Sequence, residues 1–293
     1  MPRPPQCCRI PALRSTLMVG WRAAITAAAS AAEIAVVLAC GCAAAQERQR
    51  VNLCGGETIA RGNASRIIDG RTFTLDDGRE VRLAAIDVPP ATVPQESEAA
   101  RDALAALVEG DDVVLRRAEF PSDRYGRIVA YAFAVRDDEE IFAQGEMIAA
   151  GYARVGDRVG SRDCATELFA REAGARAAKL GLWANSYYDV LNAETPADVL
   201  AQRGRFALVE GKVLSVRQSG ATIYVNFGRR WSDDFTVTIL KRNERNFAAA
   251  GLDPKRLEGR RVRVRGFIEA RGTPGSPWIE ATHPEQIEPA DRK

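Results

Sequence analysis

The chain has 293 residues, of which 46% are hydrophobic and 27% charged, with a formal net charge of +2. That is an ordinary globular composition, long enough for two modest domains that each bury a core. His283 is the one histidine and no CxxC pair occurs, so the chain carries no Cys/His zinc-ligand pattern.

Residues 1–45 read as an export signal. Arg14 and Arg22 form a basic n-region, and an Ala-rich apolar run extends from Ala23 to Ala45. Ala43-Ala44-Ala45 before Gln46 fits a small-residue cleavage site. The stretch before Met18 is long for an n-region, so Met18 is an alternative start. A retained membrane anchor is opposed by Glu33, since a central acid costs roughly 2.5–3.5 kcal/mol on insertion scales. The expectation is therefore an exported, periplasmic or secreted protein with no membrane span in the mature chain. A lipid-anchored form, cleaved before Cys40 or Cys42, is the second choice. The exported part keeps Cys54 and Cys164. In an oxidising compartment they are expected to form one disulfide, two unpaired thiols being the alternative.

A polar leader, 46–60, precedes a strand-rich region. Ile67-Ile68, Thr72 to Leu75 and Val81 to Ile86 alternate around Asp-Gly turn signals and read as strands. Glu96 to Val108 has helical spacing. Asp112 to Arg117 and Arg127 to Val135 read as two more strands, joined through Pro121-Ser122-Asp123. Helices are expected over Ile141–Ala150, stopped by Gly151, and over Cys164–Leu180, stopped by Gly181. Five strands with helices in this order suggest an OB-type barrel over residues 61–188. Residues 189–205 read as a linker. Residues 206–293 follow, with strands at 207–216, 222–227, 235–240, 262–268 and 279–281, a second OB-like barrel. The fold class is thus mainly β with helices, α+β. Charge divides between the units. Residues 61–188 hold 17 Lys and Arg against 22 Asp and Glu, a net −5; residues 206–293 hold 16 against 11, a net +5. A polyanion is electrostatically favoured on the second.

One set of residues carries chemistry. Ile68-Asp69-Gly70 leads into a strand; Arg82-Leu83 is followed by Asp87 and Pro89; then come Asp123-Arg124-Tyr125-Gly126-Arg127 and Lys179-Leu180-Gly181-Leu182-Trp183. In their joint order and spacing these pieces resemble the staphylococcal nuclease (thermonuclease-like) family over about residues 61–185. The resemblance implies hydrolysis of DNA or RNA phosphodiesters with calcium. Arginines there meet the transition-state phosphoryl oxygens, aspartates hold the metal, and a glutamate activates water. Carried over, the catalytic arginines are Arg82 and Arg127. Asp87, with the Val88 carbonyl beside it, is the surviving metal-ligand position, and Asp69 is a lesser candidate. The second metal aspartate falls at Arg71 and the general-base glutamate at Pro90. No cofactor is then expected, with calcium reserved for the case in which the family chemistry persists.

Three readings stay open. Arg71, Arg82 and Arg127, with Tyr125 to stack a base, form a phosphate-binding cluster for nucleic acid or another polyanion. Alternatively, hydrolysis persists with Asp69, Glu80, Glu96 or Glu98 replacing the lost carboxylates. In the third, the arginines are structural, Arg82 pairing with Asp87 or Asp69 and Arg127 with Asp123, in an envelope scaffold or protein-binding module. The second unit adds nucleic-acid candidates: Arg229, Arg230 and Trp231 near Tyr224, Phe227 and Phe235, and the alternating strand that sets Arg261, Arg263 and Arg265 on one face. Packing of the aromatics in a core and a solvated strand face are the ordinary alternatives.

Overall fold

The structure, a computed structural model, describes residues 54–290 apart from Trp231, Thr273 and Pro274. The signal expected at 1–45, with Cys40 and Cys42, lies outside the described residues. The fold is mixed α+β, mostly strands with few helices. Its first part contains β1 (Thr58–Asp69), β2 (Thr72–Leu75), β3 (Glu80–Leu83) and β4 (Ile86–Asp87). Then follow α1 (Pro94–Val108), β5 (Asp112–Ser122), β6 (Ile128–Arg136), β7 (Glu139–Phe142), α2 (Ala143–Ala149), β8 (Arg154–Val155) and α3 (Arg162–Ala177).

The strand order is β3-β2-β1-β5-β6-β7, and β3 also pairs in parallel with β6. The long β1 makes this possible: Thr58–Asn63 pairs with β5 and Ala64–Asp69 with β2. The β1–β2 turn is fixed by Gly70, where a Cβ would come within 2.7 Å of the Ala100 Cβ on α1. Pairing runs from β1 through β2, β3, β6 and β5 back to β1, consistent with an OB-type fold. The inward positions of these strands meet the apolar stripe of α1 and the buried faces of α2 and α3. Phe73, Leu75, Leu83, Leu104, Leu115, Phe133, Ile148 and Leu168 form one buried cluster. Each such side chain contributes roughly 1.5–3 kcal/mol by leaving water. Cys54 and Cys164 are joined in a disulfide across 110 residues, tying the chain ahead of β1 to the first turn of α3. The sequence pattern expected this bond.

Short 3₁₀ turns at Gly181–Ala184 and Ser186–Tyr188 lead to β9 (Leu191–Asn192) and α4 (Pro196–Leu200). β9 pairs in parallel with β10 (Phe206–Lys212), and Val199 of α4 is fully buried. After β10 come β11 (Ser215–Ser219), β12 (Thr222–Asn226), β13 (Thr236–Leu240), α5 (Glu244–Ala249) and β14 (Arg261–Phe267). β15 (Glu269–Arg271), β16 (Ser276–Glu280) and β17 (Ile287–Pro289) follow. They form two sheets, β17-β14-β10-β9 and β11-β12-β13-β16-β15. The pattern had counted five strands here. The run read as one strand over 207–216 breaks in two at Val213-Leu214, and β11, β15 and β17 are too short or too polar to alternate visibly. Between the two parts lies a further apolar cluster, in which Ala175, Leu182, Trp183 and Tyr188 meet Phe206 and Leu208.

Candidate nucleic-acid interface

Arg82 sits on β3, with Thr72 of β2 as one register partner and Val129 of β6 as the other. Arg71 immediately precedes Thr72, and Arg127 lies two residues before Val129. Strand alternation therefore turns Arg82 and Arg127 to one face. All three arginines line a single cleft of about 670 Å³. Its walls also carry Arg124, Arg158, Tyr125, Tyr131 and Phe120, and its acids are Glu119, Asp123 and Asp157. The segment crossing its floor is held in an unusual conformation: Ala85 takes φ 63°, and its carbonyl accepts from the Gly156 N–H at 2.8 Å. Such a left-handed alanine costs roughly 1–2 kcal/mol and persists only where neighbours hold it.

The three arginines differ in their partners. Arg127 donates through Nε to Asp123 at 2.7 Å. Burial pushes the Asp123 carboxyl up; the Arg127 bond and the N–H groups of Tyr125 and Arg127 outweigh it and hold it below the usual range. This Asp-x-Tyr-Gly-Arg turn closes because Gly126 adopts φ 80°. Tyr125 is 66% exposed, with the Arg124 and Arg127 guanidinium carbons 4.8 and 5.1 Å from its ring centroid. Arg82, by contrast, has no carboxylate partner among the described residues. Burial lowers its pKa, and the charges of Arg71 and Arg127 lower it further against a smaller pull from Asp69 and Asp123. The Arg71 Nε is buried without a hydrogen-bond partner. Two half-buried cations without acids, beside a third, make a site that an anion would relieve.

The carboxylates fall elsewhere. Asp69 accepts the Arg71 N–H at 2.9 Å, closing the β1–β2 turn. Asp87 pairs with Arg154 at 2.7 Å, its register partner on β8. Arg154 is almost wholly buried; it also donates to the Phe206 carbonyl at 3.1 Å and lies over the Tyr188 and Phe206 rings. Of the structural pairings the sequence offered, Arg82 with Asp87 or Asp69 and Arg127 with Asp123, only the last is made, Asp87 being taken by Arg154. Glu96 accepts from Asn185 at 2.5 Å beside a separate pocket of about 300 Å³, and neither Glu80 nor Glu98 lines the arginine cleft. Sequence reasoning missed Glu119, Asp157, Phe120 and Arg158, which belong to no motif and reach the cleft only because β5 and the segment after β8 meet there.

Calcium takes about six to eight oxygen ligands, usually with several carboxylates. Among the described residues no group of three or more His, Cys, Asp and Glu side chains comes together. Asp87 is committed to a buried guanidinium, and the position to which the resemblance would assign a second metal aspartate holds the cation Arg71. The residues present do not fit the metal.

In the second unit, Arg261, Arg263 and Arg265 do share one face of β14, and all three are paired. Arg261 and Arg263 bind Glu210 at 2.9 and 2.7 Å, and Arg263 also binds Glu288 at 2.5 Å. Arg265 is 1% exposed and pairs with Glu172 of α3. Phe227 and Phe235 are buried against each other, ring centroids 5.1 Å apart. Arg229 and Arg230 are exposed in the loop after β12, and Trp231 lies outside the described residues.

The strand-rich α+β fold thus carries an arginine-lined cleft beside its β5–β6 turn. Residues 80–185 match the family described as staphylococcal nuclease homologue, so the chain carries a domain of that family. No curated protein matches the chain.

Proposed function

We propose that this is an exported protein whose nuclease-homologue domain, over 61–188, holds a nucleic acid or another phosphate polyanion in the arginine cleft. A linker at 189–205 and an OB-like second unit at 206–293 follow it. Its calcium-dependent hydrolysis is lost or reduced. The observation that carries this reading is the gathering of Arg71, Arg82 and Arg127 on one cleft, two of them without an acid partner. Guanidinium forks suit phosphate oxygens, and Tyr125 offers an exposed ring beside them. Arg71 and Pro90 stand where the family's chemistry wants carboxylates.

The competing reading, an active phosphodiesterase, draws on Glu119 and Asp157, which line the same cleft. One experiment separates them. The purified protein is titrated into labelled single-stranded and duplex DNA and RNA, with calcium and with chelator, over a salt series. Binding that weakens steeply with salt and leaves the strand intact is the expected result. Calcium-dependent cleavage abolished by Arg82→Ala would overturn it.

A further inference from the structure

We propose a second nucleic-acid surface, separate from the cleft, on the outer face of the sheet β11-β12-β13-β16-β15. The register assembles it. Arg217 is opposite Tyr224, which is opposite Thr238; Asn226 is opposite Thr236, which is opposite Trp278. The alternate residues Ile223, Val225, Val237, Ile239 and Ile279 face the core, so this row lies on the other side of the sheet, where Asn226, Thr236 and Thr238 are buried at its centre and Arg217, Arg271, Tyr224 and Trp278 reach solvent. Arg271, on the edge strand β15, reaches across the face. Its guanidinium carbon lies 4.8 Å from the Trp278 ring centroid and 5.6 Å from that of Tyr224.

Three features of this face suit a single strand. Arg271 and Arg217 are exposed and have no carboxylate partner among the described residues. A guanidinium laid between two aromatic rings is fixed in plane, with its edge donors open to phosphate. Tyr224 and Trp278 are half-exposed and offer rings on which unpaired bases stack, which a duplex does not present. Beneath them, the Thr238 Oγ1 and Trp278 Nε1 are buried with no hydrogen-bond partner, and Thr238 is 2% exposed. Glu269 and Glu280 share the face, but the unit around them carries +5, and the exposed Arg229 lies in the loop after β12. This is the charge that a polyanion needs.

The test uses the whole protein carrying Arg82→Ala and Arg127→Ala, which disable the cleft, and a short single-stranded DNA oligonucleotide. That variant is expected to retain salt-sensitive binding. Adding Arg271→Glu, or Tyr224→Ala with Trp278→Phe, is expected to weaken it roughly tenfold or more. Ultraviolet crosslinks should map to the β12 and β16 peptides. Arg271 is exposed, so its variant keeps the fold, and thermal unfolding verifies this. Absence of binding by the cleft-disabled protein, or binding indifferent to Arg271→Glu, overturns the second surface and leaves the cleft reading untouched. Full binding by the cleft-disabled protein with loss on Arg271→Glu sinks the cleft reading instead.

Discussion

Arg265 of β14 and Glu172 of α3 form a two-armed ion pair, with Nη1 and Nη2 donating to Oε1 and Oε2 at 3.1 and 3.0 Å and both side chains 1% exposed. Arg265 also donates to the Val155 carbonyl at 2.9 Å and packs over the Phe169 ring. Glu172 in turn accepts the Val155 N–H at 2.8 Å. One pair thus locks the β14 sheet onto the nuclease-homologue domain. A basic strand that reads as a nucleic-acid face has become an internal fastener.

Breaking that pair from one side leaves the buried Glu172 with Arg176 at 3.5 Å as its remaining cation, so Arg265→Met should destabilise the protein by about 3 kcal/mol in urea unfolding. The pH dependence should weaken as well. In the wild type, burial raises the Glu172 carboxyl, but Arg265 and the hydrogen bonds prevail and hold it below its ordinary value. Its contribution is therefore complete above the ordinary carboxylate range and lost as pH falls through the folded value. Without Arg265, only the Val155 N–H bond and the Arg176 charge are left to oppose burial, so the variant should lose less stability in acid than the wild type. Parallel pH profiles of the two would contradict this.

The Asp87–Arg154 pair predicts the response to calcium. With Asp87 held by a buried guanidinium, millimolar calcium should leave the wild-type melting temperature unchanged. Arg71→Asp with Pro90→Glu should gain little calcium affinity by calorimetry, and more once Arg154→Gln frees Asp87. Tight calcium binding by the wild type would show that the pair opens. Asp87→Ala alone should cost about 3 kcal/mol or more, because Arg154 stays buried with only the Phe206 carbonyl.

Removing Arg82 should weaken oligonucleotide binding more than removing Arg127. Arg127 already shares its charge with Asp123, whereas Arg82 has no acid to satisfy. Arg82→Ala is expected to lower affinity about tenfold and to reduce the salt slope by about one. Equal losses for the two variants would mean that the Asp123 pair opens on binding.

Reduction of the Cys54–Cys164 bond should lower stability by about 4–5 kcal/mol, the chain-entropy estimate for a loop of roughly 100 residues. Urea midpoints with and without reductant measure it, and Cys54→Ala should reproduce the reduced value. No shift would mean that the unfolded chain is already compact.

Local chemistry was legible before any tertiary contact. Alternation around Asp-Gly turns marked β2 and β3, helical spacing marked α1, and Gly151 stopped its helix; the stop expected at Gly181 comes earlier, α3 ending at Ala177 with Lys179 in the left-handed conformation. The order of the Asp-Gly, Arg-Leu and Asp-Arg-Tyr-Gly-Arg pieces marked the domain and brought Arg71, Arg82 and Arg127 together as candidates. These features depend on neighbours in the chain, and the chain prints them. Partner choice among charges does not. Asp87 takes Arg154, 67 residues away, and Glu172 takes Arg265, 93 residues away. A charged side chain has the same spacing signature whether it ends in water, on phosphate or in an ion pair. Only the packing of β14 against α3, and of Phe206 against Arg154, decided which arginines were spent inside the fold and which were left facing a cleft.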